Sequence, residues 1–214
     1  MKHTKIWISL LATILIFSCS STKISYSWRA ENAITKPYHN VMVWGIVPEK
    51  DSSIRKQMET HLVNDLISKG YHAISSLEVY QSKAYKKLTE NEIVSEFSKT
   101  GVDAVITLAL LNTEKEERYY PAAVTAQPMN NDNNLDKYYS TVYEKVFTPG
   151  YYISTTTYFW ESHVFEVAEN RLVYTVRTKS FDPFTTDMLA HDNGLRILND
   201  MLKKKVIRNQ IPNK

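Results

Sequence analysis

Three short groupings in this 214-residue chain hold residue types that could do chemistry. His61 and Asp65 stand four apart, so a helix would carry both on one face, the spacing a metal pair uses. Two ligands do not make a zinc site. Glu161 lies two residues before His163, and His191 directly precedes Asp192, so each pair holds groups suited to proton transfer. No serine or free cysteine can be set beside either pair as a nucleophile. Glu161 and Glu166 interrupt an aromatic strand, and their odd separation sends them to opposite faces, which prevents one carboxylate pair. The chain has no G-x-S-x-G, no H-E-x-x-H, no P-loop and no dinucleotide fingerprint. These positions therefore read as ordinary polar sites, and the sequence assigns no catalytic residue, metal or cofactor.

Aromatic residues carry the stronger signal. Tyr119, Tyr120, Tyr138, Tyr139, Tyr143, Tyr151 and Tyr152 place seven of the fourteen tyrosines within or beside the segment from Asn112 to Gly150. That segment holds Pro121, Pro128, Pro149 and the polar run from Asn130 to Asn134, and reads as a long irregular surface excursion. It also lacks the clean alternation that a membrane hairpin needs. Tyrosine is amphipathic and suits contact surfaces. Two roles stay open for these rings: they pin the excursion to the body of the fold, or they form a surface for a protein or glycan partner.

The elements that must position these residues follow from periodicity. Val41 to Val47 is an almost continuous apolar run ended by Pro48, which suits a strand covered on both faces. Asp51, Ser52 and Ser53 offer N-caps for a helix in which Ile54, Met58, Leu62 and Leu66 recur every four residues until Gly70. Tyr71 to Ser75 reads as a second strand. Thr89 to Glu92 has capping-box spacing ahead of a helix through Ile93, Val94 and Phe97 to Gly101, and Val102 to Leu111 is another buried strand. Beyond the excursion, Tyr151 to Val167 and Arg171 to Phe181 form an expected hairpin, and Leu195, Leu198, Leu202 and Val206 mark a closing helix. The expected fold is α/β (α+β): a mixed sheet with a β-α-β-α-β start, the middle excursion, a C-terminal hairpin and a terminal helix.

The N-terminus supplies an address. Lys2 and Lys5 precede an apolar stretch from Ile6 to Phe17 that is too short to span a bilayer, as in a signal peptide. Ile16-Phe17-Ser18-Cys19 resembles the lipobox of bacterial lipoproteins, in which the cysteine is lipidated and becomes the new N-terminus. Ser20, where many inner-membrane lipoproteins carry Asp, favours the outer membrane. The expected organisation is a signal peptide over 1–18, a lipidated tether over 19–36 with Trp28 and Ile34 as docking points, and a single domain over 37–214. Loss of residues 1–18 lowers the formal charge from +3 to +1. Apart from Lys203-Lys204-Lys205 no tract concentrates positive charge, which removes the electrostatic case for nucleic acid. Cys19 is the only cysteine, so no disulfide forms within the chain and stability rests on the core.

Gly45 in a buried strand, Arg55 with Glu59, Leu62 and Leu66 on the next helix, Gly70-Tyr71, and Gly101-Val102-Asp103-Ala104-Val105-Ile106 resemble a group of bacterial envelope lipoproteins. The group shares the α/β domain of the Tol system's periplasmic protein, the curli secretion lipoprotein and the lipoprotein activators of penicillin-binding proteins. The match covers residues 41 to 111. Ser27-Trp28-Arg29, Thr148-Pro149-Gly150-Tyr151-Tyr152, Glu166, Leu172-Val173-Tyr174 and Phe181-Asp182-Pro183 are similar to uncharacterised lipoproteins of the group. The resemblance implies an accessory or interaction protein of the cell envelope, held to the membrane through Cys19. The alternative is an enzyme acting on envelope glycan or peptide.

Overall fold

The computed structural model describes residues 21–31, 38–80, 90–121 and 134–211. The expected signal peptide, Cys19, Ile34, Thr89 and residues 130–133 lie outside them. The apolar run becomes β2 (Asn40–Ile46), whose Val41, Met42 and Val43 are almost wholly buried. Around it lie β1 (Thr22–Arg29), β3 (His72–Ser75), β4 (Ala104–Tyr120), β5 (Tyr151–Glu166) and β6 (Arg171–Phe181). The six form one mixed sheet in the order β1-β6-β5-β4-β2-β3. β2 runs parallel to β3 and β4, and the other neighbours are antiparallel. The β-α-β-α-β start is present, and so is the hairpin, turned at Asn170 with φ 45°.

Two helices cover one face. α1 (Ser52–Ile67) buries Ile54, Met58, Leu62 and Leu66, the stripe its four-residue spacing predicts. After it, Gly70 sits at φ +92°, where side chains are strained, and ends the helical turn. The short α2 (Ser76–Val79) follows β3, with Ser75 accepting from the Leu77 N–H as its cap. α5 (Thr186–Lys203) lies beside α1, capped by Thr185, whose hydroxyl accepts from the Met188 N–H. Its buried stripe runs through Leu189, Ala190, Asn193, Gly194, Ile197, Leu198 and Met201. Leu195, expected in that stripe, is exposed, because it lies about 150° around the helix from the centre of the buried stripe, while Val206 is buried after the helix has ended.

A Cβ built on Gly194 meets only ordinary contacts, the nearest being Asp65 Oδ2 at 3.5 Å. Since glycine weakens a helix interior, Gly194→Ala should stabilise the fold by about 0.5–1 kcal/mol, read from the denaturation midpoint. Destabilisation would mean that the α1–α5 contact has no room for a methyl group.

On the opposite face α3 (Glu90–Lys99) covers the β2–β4 side, where Phe97 packs with Met42, Val102 and Val105. Trp44 meets Phe97 edge-on, with centroids 5.1 Å apart. Under the first face lies a polar knot. Glu59 is 0% exposed, and its carboxylate accepts from the Gly45 N–H (2.8 Å), Arg55 Nε (3.0 Å), Ser75 Oγ (2.5 Å), Ser76 Oγ (2.9 Å) and the Leu77 N–H (3.2 Å). A Cβ on residue 45 would stand 2.7 Å from Arg55 Cγ and 2.9 Å from Glu59 Oε1, so the close approach of helix to strand requires glycine there.

Two expectations change. The segment read as a tether from 19 to 36 contains β1, which pairs antiparallel with β6, Thr22 opposite Ser180 and Trp28 opposite Thr175. Pairing with β6 satisfies the backbone groups on the inner side of this edge strand, and Thr22 is buried with its hydroxyl 2.8 Å from that of Ser180. The excursion is also not irregular where it is described. β4 runs on from Leu111 to Tyr120, and residues 135–147 form α4 (Leu135–Phe147).

Candidate interaction surface

The extension of β4 builds an arm. β2 accompanies β4 only as far as Ala109, and β6 accompanies β5 only as far as Thr157. Past those limits Lys115–Tyr120 and Tyr151–Thr156 pair only with each other, in register from Lys115↔Thr156 to Tyr120↔Tyr151. Six residues of strand carry this ribbon about 20 Å from the sheet. Residues 112–119 are exposed on both faces, with Glu114, Glu116 and Arg118 on one and Lys115 and Glu117 on the other. Such a ribbon buries little apolar surface, so its free end must be held by local contacts.

Tyrosines make those contacts. Tyr119 and Tyr152 face each other with centroids 5.0 Å apart, and Tyr120 and Tyr151 stack at 5.7 Å, one pair on each face of the ribbon. The Gly150 N–H donates to the Tyr119 hydroxyl (3.2 Å). A Cβ at residue 150 would stand 2.4 Å from the Tyr120 carbonyl and 2.5 Å from the Tyr119 ring, so the ribbon closes there only on glycine. The rings thus serve packing and surface together, since Tyr119, Tyr151 and Tyr152 remain half exposed or more.

The other three tyrosines belong to α4, joined to β5 by Thr148-Pro149-Gly150. Leu135, Tyr138, Tyr139, Val142, Tyr143, Val146 and Phe147 repeat at i, i+3, i+4, i+7 and make one continuous stripe. Along it Tyr139 lies 5.7 Å from Tyr143, and Tyr143 lies 4.3 Å from Phe147. A core-facing helix would bury this stripe, yet Leu135 is 81% exposed and Phe147 67%. The structure therefore divides the seven tyrosines into a ribbon-end group of four and a helix group of three.

The acid and base candidates are distributed elsewhere. On the sheet face opposite α1, Glu161 accepts from Arg177 Nε (2.6 Å) and lies 3.1 Å from His163 Nε2, while His163 Nδ1 is 2.9 Å from Thr175 Oγ1. The Arg177 bond, with help from His163, holds the Glu161 carboxyl below the usual carboxylate range. Glu166 is buried on the other face, where its Oε2 accepts from Arg171 Nη2 (2.6 Å), as strand parity predicts. A mainly apolar cavity of about 160 Å³ lies between α3 and the sheet, lined by Trp44, Ile93, Phe97, Phe165 and Glu166 among others, and neither Glu161 nor His163 borders it.

His61 and Asp65 do share a helix face, as their spacing predicts. His61 bonds Asp187 (2.8 Å) and meets the ring of His191 at 5.7 Å, while burial raises the Asp65 carboxyl above its ordinary range. Among the described residues no group of three His, Cys, Asp or Glu side chains is placed to hold a metal ion.

No family model matches the chain. No curated protein matches it. Among solved structures it is similar to the PelC dodecamer from Paraburkholderia phytofirmans, at 9% identity and TM-score 0.43, over 83% of this chain and 94% of that one. It is also similar to lipoprotein GNA1162 from Neisseria meningitidis, at 11% identity and TM-score 0.42, over 77% of this chain and 99% of that one. Likeness at this level transfers no function.

Sequence reasoning grouped the tyrosines but missed the scaffold that presents them. The signal for α4 was available, since its stripe is complete once tyrosine is counted as apolar.

Proposed function

We propose that this chain is a lipid-anchored accessory protein of the cell envelope that acts by binding rather than by catalysis, with the aromatic arm as its working surface. The observation that carries the reading is the arm itself: a projecting ribbon and an amphipathic helix that leave aromatic rings in solvent. Contiguous exposed apolar surface marks an interaction site more often than packing. The anchor is Cys19 in its lipobox-like setting, and Ser20 favours the outer membrane, with the domain facing the periplasm. Half-exposed tyrosines suit a protein contact or the ring faces of a glycan.

The enzyme alternative would draw on Glu161 and His163. Both are already engaged, Glu161 by Arg177 and His163 by Thr175, and neither borders the cavity, while Glu166, which does, is bonded by Arg171.

Photo-crosslinking in intact cells tests the reading, with the crosslinker replacing Tyr152. A discrete adduct is expected; peptides of a second chain in the mass spectrum of the excised band identify a protein, and loss of the adduct on muramidase treatment identifies peptidoglycan. A folded, lipidated chain that gives no adduct from position 152 or from position 120 would remove the ribbon end as a binding surface.

A further inference from the structure

We infer that the exposed stripe of α4 lies in the interface of the same bilayer that holds the lipid anchor, so that the protein meets the membrane at two places. The inference rests on the proposed lipidation of Cys19 and names the occupant of the arm's helical surface.

Strand register supplies the first step. Thr22 pairs with Ser180, Ser180 with Tyr158, and Tyr158 with Thr113, so the start of β1 and the root of the arm share one row at one end of the sheet. Three strand spacings separate them, about 14 Å. Cys19 precedes Thr22 by three residues, which reach at most about 10 Å. Lipidation at Cys19 therefore holds that end of the sheet against the bilayer, with the arm beside it.

Length and charge supply the second step. An arm about 20 Å long cannot stand upright between the sheet and a membrane only about 10 Å away. Nor can it enter the hydrocarbon, because both faces of the ribbon carry Glu, Lys or Arg. It must lie along the surface. That course carries α4 along the headgroup layer, where a helix with an apolar aromatic stripe partitions and where tyrosine is favoured. At thirteen residues α4 is about 20 Å long, too short to cross a core of about 30 Å, so it lies on the bilayer rather than spanning it. Phe184, 90% exposed in the loop after β6, adds an apolar side chain at the same end of the sheet.

The test uses the mature lipidated protein in vesicles of phosphatidylethanolamine and phosphatidylglycerol. Cys19 is the only cysteine, and lipidation blocks its thiol, so one engineered cysteine takes an environment-sensitive dye uniquely. Tyr143→Cys reports the stripe and Lys137→Cys, about 170° around the helix from the centre of the stripe, the polar side. The expected result is a blue-shifted dye at position 143, quenched several-fold more by spin-labelled lipid than the dye at position 137. Equal, weak quenching at both positions in protein that floats with the vesicles would overturn the inference and leave the anchor intact. A dye at 143 shielded from iodide but untouched by lipid quencher would also overturn it, showing that a second copy of the chain covers the stripe. Protein that does not float with the vesicles would overturn the anchor reading and this inference with it.

Discussion

Glu59→Ala is expected to cost about 3–5 kcal/mol of folding stability, because removing one partner of a buried ion pair leaves the other charge without compensation. Arg55 is only 9% exposed, and the lost carboxylate would also free the Gly45 N–H and the hydroxyls of Ser75 and Ser76 from their acceptor. Each stranded buried group adds about 1–3 kcal/mol in isolation, but these act as one network and do not sum. Glu59→Gln keeps an acceptor of the same shape and should fall between wild type and alanine. Urea denaturation followed by tryptophan fluorescence measures all three, with Lys204→Ala as a surface control expected within about 0.5 kcal/mol of wild type. Equal, small losses for Glu59→Ala and Lys204→Ala would show that the knot contributes no net stability.

The second large effect is on location. Cys19→Ala should abolish fatty-acid labelling and shift the chain from the membrane pellet to the supernatant, or leave it as uncleaved precursor. Among the described residues no helix is long and apolar enough to cross a membrane. α4 alone offers a reversible interfacial contact, since stable anchoring takes at least two membrane signals. Alkaline washing of the pellet makes the distinction sharp: the lipidated protein stays and the variant leaves. A Cys19→Ala chain that still incorporates label and survives the wash would show that the anchor lies elsewhere.

Together these predictions separate the core from the surface. The Arg55–Glu59 knot fastens α1 to β2 at Gly45, and α1 with α5 covers the face that buries Trp160 and Tyr174. Nothing in that assembly needs the arm, so substitutions among the exposed tyrosines should change binding more than folding. Gly150 is the exception, because its missing Cβ lets the Tyr119 ring close the ribbon.

Much of the fold is legible in residue order because each central element repeats its own period. The unbroken apolar run at Val41 to Val47 implies a strand covered on both faces, and the four-residue spacing from Ile54 to Leu66 implies a helix resting on it. The hairpin strands read nearly to the residue, since Thr, Tyr, Phe and Val fit a pleated surface and Asn170 accepts a positive φ. The opposite facing of Glu161 and Glu166 follows from parity alone. The proposed anchor rests on local sequence around Cys19 alone.

Long-range pairing settled what local preference could not. Glu114 to Arg118 are poor strand formers taken alone, and they extend only because the Thr-rich start of β5 offers them a matching hydrogen-bond ladder. Thr22 to Arg29 resembled a tether until β6, some 150 residues later, supplied its partner. The burial of Glu59 depends on a glycine fourteen positions earlier and on two serines at the end of the next strand, Ser75 and Ser76. The tyrosines were visible as a cluster. Their division into a ribbon end and a helix stripe arises from strand register, because register determines which rings face each other and how far from the sheet they stand.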